Sequence, residues 1–450
     1  MRYLPHTPEE VQAMLAAVGR GHLDELFLTI PEEARFAGHL EVPPALDEPR
    51  LMAHLASLAE KSNGASMLSF LGGGMYDHHI PPAVDQLLLR SEFYTAYTPY
   101  QPEVAQGTLQ AIWEFQTIVS ELLGLPLANA SLYDGASATA EAALMARRLT
   151  KRSKVLVSHC VHPDYRDSTR TYLTAQVDAY VEVEAAKDGG VDIARITTAI
   201  DDDTAAVIVG YPSFFGTISD LRKLAEAAHA KGCLLVTATS EPYALALIES
   251  PGALGADIAV GEGQALACGP NFGGPGVGLF ACRGERNYLQ QLPGRLCGET
   301  VDANGKRGYV LTLSTREQHI RRERATSNIC TNQGLLALSF LIRASLLGKQ
   351  GFVRVAEHCA AKARYLKTAL MGLDGYTSAI DTAPFFNEFT VRVRGGDAAR
   401  VCNKLAAQGV LAGVDLGRFE NARKDQLLIA VTEKHARADL DRLVSLLDAI

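Results

Sequence analysis

Gln264 occupies a turn where a reactive amine would be expected. The stretch from Gly255 to Gly276 reads Gly-Ala-Asp-Ile-Ala-Val-Gly-Glu-Gly-Gln-Ala-Leu-Ala-Cys-Gly-Pro-Asn-Phe-Gly-Gly-Pro-Gly. An apolar strand, Asp257 to Val260, runs into a turn; a glycine-proline loop follows, then a second strand, Val277 to Cys282. A lysine at such a turn could capture an aldehyde cofactor as an imine, whereas an amide side chain has no basic nitrogen and cannot. The chain therefore has the layout of a cofactor enzyme without its amine. Lys231 ends a predicted helix, before the next strand rather than after it, and Lys306 lies in Asn304-Gly305-Lys306-Arg307-Gly308, which reads as an exposed turn.

Other segments admit two readings each. Gly135, Ala136 and Ser137 precede an alanine-rich helix predicted over Ala138 to Leu149. A small-residue turn there could present N–H groups and a hydroxyl to a phosphate, or Asp134 or Ser137 could simply cap the helix. The run His159-Cys160-Val161-His162-Pro163-Asp164 follows a predicted strand. It could hold a metal, although its spacing matches no standard ligand pattern; a histidine at a strand's carboxyl end could stack on a planar cofactor; or the run is a polar loop. Asp77-His78-His79 reads as a solvated turn. Tyr94, Tyr97, Tyr100 and Gln101 fall in a stiff, aromatic connector, suited to an interface or to ordinary packing. No Gly-x-x-x-x-Gly-Lys-Ser/Thr loop, Gly-x-Ser-x-Gly elbow or His-Glu-x-x-His is present, and the glycine clusters lack dinucleotide-fingerprint spacing.

The elements that must position these residues alternate. Lys154 to Val157, Ala205 to Gly210 and Cys233 to Val236 are predicted buried strands, and Asp220 to Lys231 a helix ended by Gly232. Strand, helix, strand within about thirty residues is a crossover unit of a parallel sheet, and continuous apolar strands fit a sheet covered on both faces. Residues 1–60 read as a helical arm, with starts at Thr7-Pro8, Pro31 and Asp47. Residues 61–330 read as the large sheet domain. Residues 331–450 read as a linking helix, Gln333 to Leu347, and a small α/β domain with a half-exposed strand, Phe389 to Val393. The 450 residues carry a net charge of −8 and 47% hydrophobic residues, against a nucleic-acid surface, which would be basic. No apolar run approaches the ~20 residues of a membrane span, and the N-terminus lacks signal-peptide order, so a cytoplasmic location is expected. Eight scattered cysteines are expected to be reduced thiols, mostly buried.

Together these segments resemble a family. Tyr97-Thr98-Pro99-Tyr100-Gln101-Pro102-Glu103-Val104-Ala105-Gln106-Gly107, Ala128 to Gly135, Gly261-Glu262-Gly263-Gln264 with Gly273-Gly274-Pro275, and Arg316 to Arg322 through Ala325 to Thr331 are similar to the glycine cleavage system P-protein, more closely to the α-subunit of its two-chain bacterial form. The resemblance implies a pyridoxal-phosphate-dependent transferase fold of type I (aspartate aminotransferase-like): an α/β protein with a large, mainly parallel sheet and a small C-terminal α/β domain. In the catalytic half of such proteins a lysine stands where Gln264 falls here, and an aspartate that pairs with the pyridine nitrogen falls near Ala238. The resemblance thus implies no catalytic residue in this chain and no metal, with Gly135, Ala136, Ser137 and His162 as a vestigial cofactor cup. It implies that a β-subunit holds the pyridoxal phosphate, in an α2β2 heterotetramer that decarboxylates glycine and passes the aminomethyl group to the lipoyl arm of H-protein. Tyr94, Tyr97, Tyr100 and Gln101 would then face the partner's active site. Two rival readings are a pure scaffold without active-site groups and a self-sufficient enzyme using another lysine.

Overall fold

Thr7 starts the first helix. In the computed structural model, which describes residues 6–36, 38–94, 97–175, 179–312, 325, 327–380 and 383–450, α1 spans Pro8–Ala17. The Thr7 hydroxyl accepts from Glu10 N and the Glu10 carboxylate from Thr7 N, a reciprocal cap that satisfies two otherwise orphaned donors. Asp47 caps α2 (Glu48–Ala59) by a single bond, its Oδ1 accepting from Arg50 N at 2.9 Å. The expected start at Pro31 yields only a single 3-10 turn, Glu32–Ala34. The chain divides into two units, Met1–Asn63 and Gly64–Ile450. In the first, none of the α2 residues is buried, and Leu51, Leu55 and Leu58 form an exposed apolar stripe at helical spacing.

The second unit is built on a seven-stranded sheet. Its strands are β1 (Leu127–Ala128), β2 (Lys154–Ser158), β3 (Tyr180–Val183), β4 (Thr204–Gly210), β5 (Leu234–Thr239), β6 (Ile258–Glu262) and β7 (Gly278–Cys282), in the order β1-β7-β6-β5-β4-β2-β3. From β6 to β3 the strands are parallel; β7 alone is reversed, antiparallel to both of its neighbours, β6 and β1. Every residue of β4 is buried. Ala206 and Ile208 point into one core with Ala138, Ala142 and Met145 of α3 (Gly135–Thr150). Val207 and Val209 point into the other core with Leu224, Ala225 and Ala228 of α4 (Arg222–Ala230). Helices on both faces explain the unbroken apolar strand, and each fully buried Val or Ile contributes about 1.5–3 kcal/mol. The crossover predicted from Ala205 to Val236 is present, with Gly232 at φ +66° turning the chain out of α4. Five of the eight cysteines are buried, and all eight are free thiols.

The hairpin β8 (Leu296–Val301) and β9 (Arg307–Thr312) follows; the segment Arg316–Arg322, which helps carry the resemblance, lies outside the described residues. The linking helix is present over the predicted span, and a second helix continues it past Gly348. Together, as α5, they span Gly334–Leu370, interrupted at Gly348 (φ 59°, ψ 178°). The glycine lets the chain break direction within one core, which takes Ala337 and Phe340 from before it and Ala356 and Cys359 from after it. The second stretch then brings Ala363, Leu366 and Leu370 beneath a four-stranded antiparallel sheet. That sheet is formed by β10 (Thr377–Ser378), β11 (Glu388–Arg392), β12 (Val414–Asp415) and β13 (Gln426–Ala430), in the order β10-β11-β13-β12. It packs against α6 (Ala398–Ala406) and α7 (Arg437–Asp448) through Val401, Leu405, Leu440 and Leu443. The strand expected to be half-exposed is a correction: Glu388 through Val391 are buried. One face meets the helices; on the other, Thr390 Oγ1 donates to Phe215 O at 3.0 Å, and a Cβ on Gly216 would lie 2.3 Å from Glu388 O.

Candidate functional site

The carboxyl ends of β2, β5 and β6 bring the predicted cup residues together. Gln264 follows β6 directly, in the short helical turn Gln264–Ala267, and is buried. Its amide is fully used: Oε1 accepts from Tyr76 N at 3.3 Å, and Nε2 donates to Tyr76 O at 3.4 Å and to Cys268 O at 2.5 Å. Ala238, on β5, presents a methyl group to the core shared with Val260 and Ile208. Lys231 donates to the carbonyl oxygens of Ile200 and Thr197, at the amino end of the sheet. Lys306 is exposed in the β8–β9 turn.

His162 sits opposite. Its Nδ1 accepts from Asp164 N at 3.1 Å, so the proton resides on Nε2, which donates to Gly73 O. Burial lowers its pKa, in keeping with a neutral ring. The main chain of Gly73 and Gly74 covers that ring: a Cβ on Gly74 would lie 2.7 Å from its Cδ2 and Nε2. Gly74, at φ +103°, is therefore required both by its backbone angle and by the close approach. Glu388 fixes the same segment from the small sheet, accepting from Gly73 N at 2.6 Å and from the Tyr76 hydroxyl at 2.9 Å. Burial pushes the Glu388 carboxyl up to about 7. The segment Gly73–Tyr76 thus runs between His162 and Gln264, and the cavity left beside Tyr76 measures ≈10 Å³, room for one water at most.

The N-terminus of α3 follows the simpler of its two readings. The helix starts at Gly135, three residues earlier than predicted, and Asp134 caps it: Oδ1 accepts from Ser137 N at 2.7 Å and Ser137 Oγ from Asp134 N at 3.2 Å. Gly135 N donates to Glu262 Oε2 at 2.9 Å. Ala136 is half-buried beside this cap. Glu262 was not singled out in the sequence; an acid immediately after an apolar strand and two residues before Gln264 was the available signal.

The run from His159 to Asp164 does not converge on a metal. His159 Nε2 meets Glu182 at 3.0 Å, Cys160 Sγ donates to Gly190 O at 2.9 Å, and His162 turns to Gly73. The turn at Asp77-His78-His79 corrects its prediction more sharply. His79 is exposed, but His78 is only 2% exposed. Its Nε2 lies 2.9 Å from Glu241 and its Nδ1 2.6 Å from Glu433. Burial works against its charge, but Glu241 and hydrogen bonds with Cys359, Glu241 and Glu433 hold its pKa well above the ordinary 6.5. Donor atoms of His78, Cys359 and Glu433 lie within 4.8 Å of one another, yet both ring nitrogens are already spent on carboxylates. The cluster is closed as an ion triad.

Tyr94, Tyr97 and Pro99 instead line a surface groove of ≈240 Å³ with Ile112, Leu335 and Leu338. Tyr97 is 82% exposed. The Arg295 guanidinium lies over the Tyr100 ring, 5.3 Å from its centre, and Gln101 is exposed.

Residues 1–447 match the family described as glycine cleavage system P-protein. The chain belongs to the glycine cleavage system P-protein family. A probable glycine dehydrogenase (decarboxylating) subunit 1 of Sorangium cellulosum is 62% identical over 448 residues, covering 99% of this chain and 98% of that one. A protein of the same description from Anaeromyxobacter is 53% identical and covers 97% of each chain. Among solved structures, the crystal structure of a glycine decarboxylase (P-protein) of the glycine cleavage system in inhibitor-bound form superposes with a TM-score of 0.89 at 41% identity, covering both chains completely. A sphingosine-1-phosphate lyase from Burkholderia pseudomallei shares the fold at 17% identity, with a TM-score of 0.65 over 93% of this chain and 94% of that one. The P-protein fold expected from the sequence, a type I transferase architecture, is therefore the observed one.

Proposed function

We propose that this chain is the cofactor-free subunit of a two-chain glycine decarboxylase. Its β-subunit holds the pyridoxal phosphate, and the α2β2 assembly decarboxylates glycine and delivers the aminomethyl group to lipoylated H-protein. A cytoplasmic location goes with this reading. The observation that carries it is the main chain of Gly73–Tyr76 running between His162 and Gln264. The residues present do not fit the cofactor: position 264 offers an amide, position 238 a methyl group, and the helix N-terminus is already bonded to Glu262. The exposed Tyr97 and its apolar groove are suited to a partner's surface, where aromatic residues concentrate binding energy.

The test is co-purification with the candidate β-subunit, followed by glycine–bicarbonate exchange with and without this chain. Exchange is expected only when both are present. The isolated chain is expected to show no imine absorbance with pyridoxal phosphate; such a band, removed by borohydride and accompanied by turnover, would sink the reading. A narrower test addresses the groove. Tyr97→Ala and Tyr100→Ala are each expected to weaken association by about 1 kcal/mol or more and to lower turnover of the assembled enzyme. Unchanged titration curves and turnover in both would remove these tyrosines from the interface.

A further inference from the structure

Three backbone N–H groups from separate stretches of chain converge on one carboxylate. Gly135, in the first turn of α3, donates to Glu262 Oε2 at 2.9 Å; Gln264 and Val277 donate to Oε1 at 2.9 and 2.8 Å. N–H groups gathered at a helix N-terminus favour an anion, and here the chain supplies that anion itself. Glu262 is 7% exposed. The glycine-proline loop closes over it, since a Cβ on Gly276 would lie 2.9 Å from Oε2. A covalently attached ligand acts at a high effective concentration, against which a free phosphate at millimolar levels competes poorly. A phosphate brought to this place would also meet a like charge, with Asp134 adding a second nearby.

We propose that Glu262 is the specificity-determining residue of this vestigial cup: its carboxylate takes the N–H donors a phosphate-bearing cofactor would need, and so reserves cofactor binding for the other subunit. The proposal rests on the reading of this chain as cofactor-free, and adds the residue that enforces it. Gln264 explains why no imine forms; Glu262 explains why the phosphate end is refused even before an amine is required.

The test uses the full chain assembled with its β-subunit, with inorganic phosphate as the probe. Wild type, Glu262→Ala, Glu262→Ser and Glu262→Gln are compared by thermal denaturation and phosphorus NMR in phosphate against chloride at constant ionic strength. The work is done at pH 8, because burial pushes the Glu262 carboxyl up to about 7 and it must be ionised. Glu262→Ala is expected to bind phosphate at least roughly tenfold more tightly than wild type, a difference of about 1.4 kcal/mol, and Glu262→Ser to follow it. Glu262→Gln, which still fills the space and keeps a carbonyl acceptor, is expected to stay near wild type. The proposal is overturned if wild type binds phosphate as well as the alanine variant, or if the folded alanine variant gains nothing. Should Glu262→Ala fail to assemble, Glu262→Ser decides by the same criterion. Glycine–bicarbonate exchange is measured on the same samples. Exchange that needs this chain, with no gain in phosphate binding, removes only the role of Glu262; exchange that proceeds without the chain removes the functional reading beneath it.

Discussion

His78→Ala is expected to destabilise the chain by about 3–5 kcal/mol, the cost of leaving a buried charge without its partner. In the native protein the imidazolium lies between Glu241 and Glu433. Arg343 offers no substitute: its Nη2 stands 3.9 Å from Glu433 Oε1, and the same guanidinium is bonded to the Tyr243 hydroxyl. Removal of the ring leaves two carboxylates near each other without the cation between them, held by backbone and amide donors such as His79 N and Tyr243 N. The pH dependence has a definite sign. His78 has a raised pKa, so its contribution is complete below 6.5 and fades as pH rises through the raised value. For Glu433, burial opposes ionisation, but His78 holds the carboxyl down at about 2, so its contribution is present above 4.5 and is lost as pH falls toward 2. The difference between wild type and variant should therefore be greatest from about pH 4.5 to neutrality and shrink in acid. Equilibrium denaturation across that range checks it; a constant deficit at every pH would point to lost packing instead of lost charge.

Deletion of Met1–Asn63 is expected to leave Gly64–Ile450 folded but unable to join its partner, lowering glycine–bicarbonate exchange by about a hundredfold or more, as loss of several interface anchors would. The expectation starts from Leu51, Leu55 and Leu58, an exposed stripe on a helix that buries no residue. Phe27, Phe36 and Leu40 are exposed in the same unit. Large apolar surface of this kind marks a site that another chain covers. Size-exclusion chromatography of the truncated chain with the β-subunit separates the outcomes: a heterotetramer of full activity would refute the role, whereas a monomer with native circular dichroism would support it.

What could be read from the sequence, and what could not, follows from the range of the interactions. The strand Thr204–Gly210 was legible because both of its faces are covered, leaving an uninterrupted apolar run. Gln264 and Ala238 were read from the groups they lack, and the structure places them at the end of β6 and on β5. The strand Glu388–Arg392 was misread as half-exposed because the loop that covers its second face, Ser213–Thr217, lies far away in sequence. The turn at His78 gave no sign of its burial, since its two carboxylates are 163 and 355 residues distant. The first stretch of α5 was legible to Leu347, where Gly348, at φ 59° and ψ 178°, leaves the helical backbone; the second stretch carried no such signal. The role of Glu262 was hidden for another reason: an acid after a strand looks like any surface acid until the helix N-terminus beside it is in place.

The stretch of main chain between His162 and Gln264 also bears on how such a protein can change over time. A lysine restored at position 264 would aim its ammonium at the carbonyl oxygens of Tyr76 and Cys268, with no room for an aldehyde between them. Clearing that room means shifting Gly73–Tyr76, and Glu388 ties those residues to the other sheet. One codon would therefore not open this place to a cofactor; a loop, its anchor and the amine would have to change in concert.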